Sequence, residues 1–207
     1  MHPNPVFHDA AQARNLAFAR ARSFGVLAVS TDAAPHLSHV PFLLNAEGTA
    51  ADLHLVRSNP IARMGEGPFA ATIAVSGPDS YVSPDWYGVA DQVPTWNYIA
   101  VHLSGTLVRL PQETMRDMLD RQSAGFEGRL APKPPWQTRK MSPEVLDKMM
   151  RMIVPFRFTV TGIDGTWKLG QNKPEAVRIA AARELAQHGI GSEIAHLAAL
   201  MRDLPRD

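Results

Sequence analysis

Five large aromatic side chains, Tyr81, Trp86, Tyr87, Trp96 and Tyr98, fall within one stretch, GPDSYVSPDWYGVADQVPTWNYIAVHLSG, residues 77–105. They include all three tyrosines and two of the four tryptophans. A globular core spreads such residues over many elements, because a ring with a polar tip settles only where the tip finds a hydrogen-bond partner. Their concentration points either to a surface that holds something flat or to a plug at a barrel end or subunit seam, and the residues alone leave both open. Pro78, Pro84 and Pro94 fix φ between the aromatics and make parts of the stretch a shaped loop.

The flanking text is strand-like. From Trp96, Asn97, Ile99, Val101 and Leu103 alternate with Trp96, Tyr98, Ala100 and His102, which predicts a long strand that Gly105 permits to bend. FGVLAVST, HLSHVPFLLN, DLHLVRSNP, PFAATIAVSG and FRFTVTGIDGTWKLGQNK supply further strands, the last expected to turn at Gly165. Pro41 has no N–H for a ladder, so its strand belongs at an edge or a bulge. Helices are expected from Asp9, over 111–127 with Gly125 closing it, and from Ser142 to Met152. Between them, residues 128–141 form a loop whose Lys133, Arg139 and Lys140 are a solvated surface or a gate over a phosphorylated ligand. The tail makes two helices broken at Gly189-Ile190-Gly191.

Arginine and lysine number 21 against 20 acidic residues. That balance weighs against nucleic acid as the main ligand, because neutralised phosphates supply most of such affinity. The tail does not mend this. In a helix-turn-helix the residue four before Gly189 should be small, and it is Leu185; Glu193, His196 and Arg202 are a weak set for phosphates and base edges. The alternative is a helical hairpin that buries Leu185, Ile194, Leu197 and Leu200. There is no cysteine, which excludes disulfides and thiolate chemistry and suits a cytoplasmic location. No apolar run reaches the length of a membrane span, and MHPNPVFHDA has no signal-peptide character. His36 and His39 lie on opposite strand faces, while His54 and His102 lie on separate strands without a carboxylate at ligand spacing, so no metal site is expected. No G-x-S-x-G elbow occurs.

The end of DLHLVRSNP reads as a strand stopping at Ser58-Asn59-Pro60, with Asn59 capping a short helix that Pro60 opens. Arg57, Ser58 and Asn59 there are either an ordinary capped turn or an anion site.

Several blocks, in order, resemble the PaiB family of FMN-binding split-barrel proteins, often labelled negative transcriptional regulators. They are HPNPVF, HVPFLL at 39–44, LHLVRSNP at 53–60, GPDSYVSPDWY, VPTWNY with VHLSG, and WKLGQNKPE at 167–175, and they cover most of residues 1–180. The resemblance implies a mainly β fold with added α: an FMN-binding split β-barrel over residues 1–170 with peripheral helices, and a C-terminal helical hairpin over 171–207 packed on the barrel or dimer seam. It implies a homodimer with FMN between the chains, resembling pyridoxamine-phosphate oxidases. Arg57, Ser58 and Asn59 then become phosphate candidates; Trp96, Tyr98, Val40 and Pro41 a wall for the ring; Asn97 a ring-edge contact; Lys168, Gln171 and Lys173 phosphate or ring contacts; and His39 and His102 core or flavin-edge residues. Gly170 stands where the family is expected to carry serine. Three functions follow from the resemblance: an FMN-dependent oxidoreductase, with a nicotinamide nucleotide a candidate partner and the catalytic residues unassigned; a flavin-binding negative transcriptional regulator in which FMN is a sensor or structural ligand and DNA a candidate partner; or a binder of another phosphate ligand or haem.

Overall fold

The alternation that starts at Trp96 becomes the strand Thr95–Arg109, with Asn97, Ile99, Val101 and Leu103 all buried and the intervening residues partly exposed. A computed structural model describes residues 1–205. In chain order its strands are β1 Phe24–Val29, β2 His36–Pro41, β3 Leu43–Leu44, β4 Ala50–Val56, β5 Phe69–Val82, β6 Thr95–Arg109, β7 Ile153–Lys168 and β8 Gly191–Ser192. Its helices are α1 Gln12–Arg22, α2 Pro60–Arg63, α3 Met115–Glu127, α4 Pro143–Met150, α5 Glu175–His188 and α6 Ile194–Arg202. The strands follow the order β2-β1-β5-β6-β7-β4-β3, with β8 added to β5. No helix among the described residues is long and apolar enough to cross a membrane.

The chain divides into two compact units, and β5, β6 and β7 each contribute residues to both. The second unit comprises Ala19–Ala74 and Leu103–Gly162. Its core is the buried side of the sheet, where Leu27, Leu53, Ile73, Leu107, Phe156 and Phe158 are inaccessible to solvent, with Met115 and Met118 of α3 equally buried. Each such side chain contributes about 1.5–3 kcal/mol by leaving water. β2 is the first strand of the order, so Pro41 sits on an edge strand, where its missing N–H costs no ladder bond. β6 runs on through Gly105 to Arg109. A Cβ at Gly105 would stand 1.8 Å from the Thr159 carbonyl oxygen of β7, so the glycine permits close backbone approach. Helix α3 likewise runs past Gly125 to Glu127. In the loop that follows, Lys133 pairs with Glu127, which also accepts the Trp136 N–H at 2.7 Å.

The first unit comprises Met1–Phe18, Val75–His102 and the chain from Ile163 onward. Here Val82, Ile99, Trp167 and Leu169 form one cluster with Ala181, Leu185, Leu197 and Met201 of α5 and α6, while Ile194 and Leu200 pack against it. The tail's apolar stripe is thereby covered. Its connector does not make the turn of a DNA-reading motif: Gly191 and Ser192 form β8 and pair with Ser80 and Asp79. Arg178, buried in α5, donates to the carbonyls of Met201 and Arg202 and so satisfies the end of α6. Two strand expectations need correction. The aromatic stretch leaves the strands only over 83–94, where Pro84–Tyr87 form a 3-10 turn, because β5 continues through Pro78 to Val82, and β7 runs through Gly165 without turning. At Gly165 a Cβ would overlap the Asn15 side chain, whose Oδ1 accepts the Trp167 indole N–H at 2.8 Å.

Candidate functional site

In the second unit the site residues gather where β4 ends. Val56 pairs with Ile153 of β7, and beyond it the Arg57 N–H donates to the Met152 carbonyl at 2.8 Å. The Arg57 guanidinium is exposed; Nε donates to the Arg151 carbonyl at 2.9 Å and Nη2 to Gln112 Oε1 at 3.0 Å. A guanidinium has five N–H groups. Three, on Nη1 and Nη2, have no partner among the described residues, which suits a forked grip on a phosphate. Asn59 caps α2 as its sequence predicts, its Oδ1 accepting the Ile61 N–H at 2.9 Å, while Nδ2 donates to Ser38 Oγ at 3.1 Å. Since α2 is a single turn with its cap in place, any anion here depends on Arg57 and the exposed Ser58, not on a helix dipole.

The outward face of this unit's sheet follows from strand register. Phe24 pairs with Pro41, Val26 with His39 and Ala28 with Leu37, while Val26 and Ala28 also face Ala74 and Thr72 of β5. These eight residues share one side, and none of them is Asp, Glu, Lys or Arg. Phe24 is 54% exposed and Leu37 63%, and the Phe24 and His39 rings stack at 6.3 Å. Pro41 belongs to this face. Val40 does not: it is 1% exposed and lies in the core behind it.

A cavity of about 230 Å³ opens elsewhere in this unit, beside Leu43, Asn45, Asp52, Arg121 and Arg157. Asp52 is buried and accepts from Arg157 at 2.9 and 3.1 Å and from Arg121 at 2.7 Å. Burial pushes its carboxyl pKa up, but hydrogen bonds from Arg157 and Arg121 and their charges outweigh that and hold it below the usual value. Each charge there already has an opposite partner, Arg121 also meeting Asp117 at 2.8 Å, so the cluster braces the unit.

The first unit holds the remaining candidates. Trp96 is 43% exposed; its indole N–H reaches Asp79 Oδ1 at 3.2 Å, and Tyr81 meets its ring edge-on. Tyr98 lies on the same side of β6, half-buried. Asn97 faces the other way, 1% exposed, with Nδ2 3.5 Å from Met201 Sδ. Lys168 donates to Thr95 Oγ1 and lies 5.7 Å from the Phe7 ring, and burial lowers its pKa. Lys173 donates to Gln92 Oε1 and lies over Tyr87. The Gln171 amide is fully engaged: Oε1 accepts the Leu169 N–H, and Nε2 donates to the carbonyls of Val6 and Trp167. Gly170 has φ +80°, a conformation that favours glycine. His102 is half-buried, and burial lowers its pKa.

Sequence reasoning missed Gln112 and Arg151, the two groups that fix Arg57. Gln112 is 55 positions away and belongs to no motif, so only the fold brings them together.

The family model described as “Putative FMN-binding domain” matches residues 1–162. The Protease synthase and sporulation protein PAI 2 of Bacillus subtilis is 28% identical over 188 residues, covering 90% of this chain and 89% of that protein. Among solved structures, the FAD and Heme binding protein from Mycobacterium smegmatis superposes with a TM-score of 0.58 at 16% identity, over 87% of this chain and 80% of that one. The flavocytochrome Anf3 from Azotobacter vinelandii gives 0.55 at 10% identity, over 81% and 72%. At such identities the likeness is one of fold, the antiparallel split barrel with added helices. The family match over residues 1–162 carries more: the chain belongs to the PaiB family of FMN-binding split-barrel proteins.

Proposed function

We propose that this protein works as a homodimeric FMN-dependent oxidoreductase, with the outward face of β1, β2 and β5 as its dimer surface. The observation that carries the reading is that face, where Phe24 and Leu37 stand exposed on a sheet side without an acidic, lysine or arginine residue among the eight aligned there. Exposed apolar side chains on a sheet face without a charged residue suit an interaction site, and a self-complementary contact is the simplest way to cover them. Arg57 and Ser58 are assigned to the flavin phosphate and Asn59 to holding their backbone; Pro41 is part of the ring wall, and Val40 supports it from the core. Trp96, Tyr98, Lys168 and Lys173 are assigned to contacts with the flavin or the partner chain, and Asn97 and Gln171 to shaping the strand ends that carry them. FMN, when bound, supplies hydride and single-electron chemistry. The protein's part is to grip the phosphate and keep water from the ring.

The regulatory reading has less behind it. The tail's second helix, α6, offers Arg202 and a His196 whose Nδ1 lies 3.6 Å from Glu193 Oε2, a poor surface for a phosphate backbone. Purified protein mixed with FMN should show a shifted flavin spectrum that bleaches with NADH or NADPH, and no salt-sensitive DNA retardation. A protein that leaves the flavin spectrum unchanged, or that takes up haem in its place, contradicts the proposal.

A further inference from the structure

Arg57 carries one arm of the proposed site, yet among the described residues no near neighbour in sequence holds the guanidinium in place. Two distant groups do: the Arg151 carbonyl at 2.9 Å and Gln112 Oε1 at 3.0 Å. Gln112 is itself fixed. Its Nε2 donates to the carbonyls of Met150 at 3.0 Å and Ile153 at 3.2 Å, which lie on either side of the turn from α4 into β7. Carbonyls at the end of a helix lack intrahelical partners, so this turn is a natural place for a side-chain amide to bind. With both amide hydrogens committed to carbonyls, the oxygen must face Arg57, and a flipped amide would set N–H against N–H.

We infer that Gln112 is a positioning residue for the phosphate site: it takes one edge of the Arg57 guanidinium so that the Nη1–Nη2 fork is presented, already oriented, to the flavin phosphate. A free arginine side chain must give up rotamer freedom on binding, and an arginine already tied at Nε and Nη2 has paid most of that cost on folding. The inference rests on the reading of Arg57 as a phosphate ligand and adds a residue that touches no flavin atom.

The test compares FMN with riboflavin, which lacks the phosphate. Gln112→Met keeps the side chain's length and removes both the acceptor and the donors. It should weaken FMN binding about tenfold and leave riboflavin binding within about twofold, the scale of one hydrogen bond to a charged group. Arg57→Met should abolish the preference for FMN, and the double variant should bind FMN no more weakly than Arg57→Met alone, because the two act through one contact. If Gln112→Met does not fold, Gln112→Asn, too short to bridge the turn and Arg57 together, gives the same comparison. Equal weakening of both ligands would make Gln112 a structural tie only and overturn the inference while leaving Arg57 in its role, as would no change in either. An Arg57→Met protein that still prefers FMN would remove the assignment of Arg57 itself, and this inference with it.

Discussion

Replacing Asp52 by asparagine should destabilise the protein by about 1.5–3 kcal/mol at neutral pH. The carboxylate is buried at 4% exposure and accepts three N–H groups, two from Arg157 and one from Arg121. A hydrogen bond to a charged group is worth about 1.5–3 kcal/mol. Two such partners would give about twice that, but the arginine side chains are 46% and 44% exposed, so water screens them and roughly half remains. Asparagine preserves the shape, loses the charge, and turns an amide N–H₂ towards a guanidinium. The same bonds set a pH dependence. Because the folded carboxyl pKa lies below its unfolded value, the stabilisation is complete above the ordinary carboxyl range and is lost as pH falls below about 4. Urea unfolding at pH 7 and under acid conditions, for parent and Asp52→Asn, measures both effects. A variant within about 0.5 kcal/mol of the parent at pH 7, or one that loses as much stability in acid as the parent, would refute the reasoning.

Three further outcomes are expected. Leu37→Arg places a charge on the outward sheet face at a residue 63% exposed in the single chain, so it should leave the chain's fold unchanged and, if the proposed dimer forms through this face, convert it to monomer by size exclusion. Gly165→Ala drives a Cβ to within 2.1 Å of Asn15 Oδ1 and should break the Trp167–Asn15 bond, at a cost of about 1–3 kcal/mol and with altered near-ultraviolet dichroism. His54 is half-buried with Nδ1 3.0 Å from Gln122 Oε1, and burial pushes its imidazole pKa down despite that hydrogen bond. Its stability contribution is therefore full above about pH 6.5 and falls as the pH drops below it, and its NMR resonances should titrate on the acid side of that value.

What sequence reading delivered depended on range. The alternation in β6, the edge placement of Pro41 and the Asn59 cap follow from the local chemistry of each residue, and all appear in the structure. Pro78 read as a loop former because proline usually ends a strand, yet β5 continues across it. The pairing of Gly191-Ser192 with Ser80 and Asp79 has no local signature at all. The candidate site divides the same way. Arg57 is a candidate because its block stands at the end of a strand, whereas the orientation of its guanidinium comes from Gln112 and Arg151, set against it by the turn between α4 and β7. The resemblance implies a ring-wall place for Val40, but the register turns its side chain into the core, because a one-residue step along a strand exchanges faces.

Sedimentation of the protein with FMN, followed at the flavin's visible band, tests the central claim most directly. The flavin should travel with a species of twice the 22.7 kDa chain mass, carrying one FMN per chain, and Leu37→Arg should cost both the doubled mass and the bound flavin. Flavin sedimenting with a species of single-chain mass, or remaining unbound beside a dimer, would contradict it.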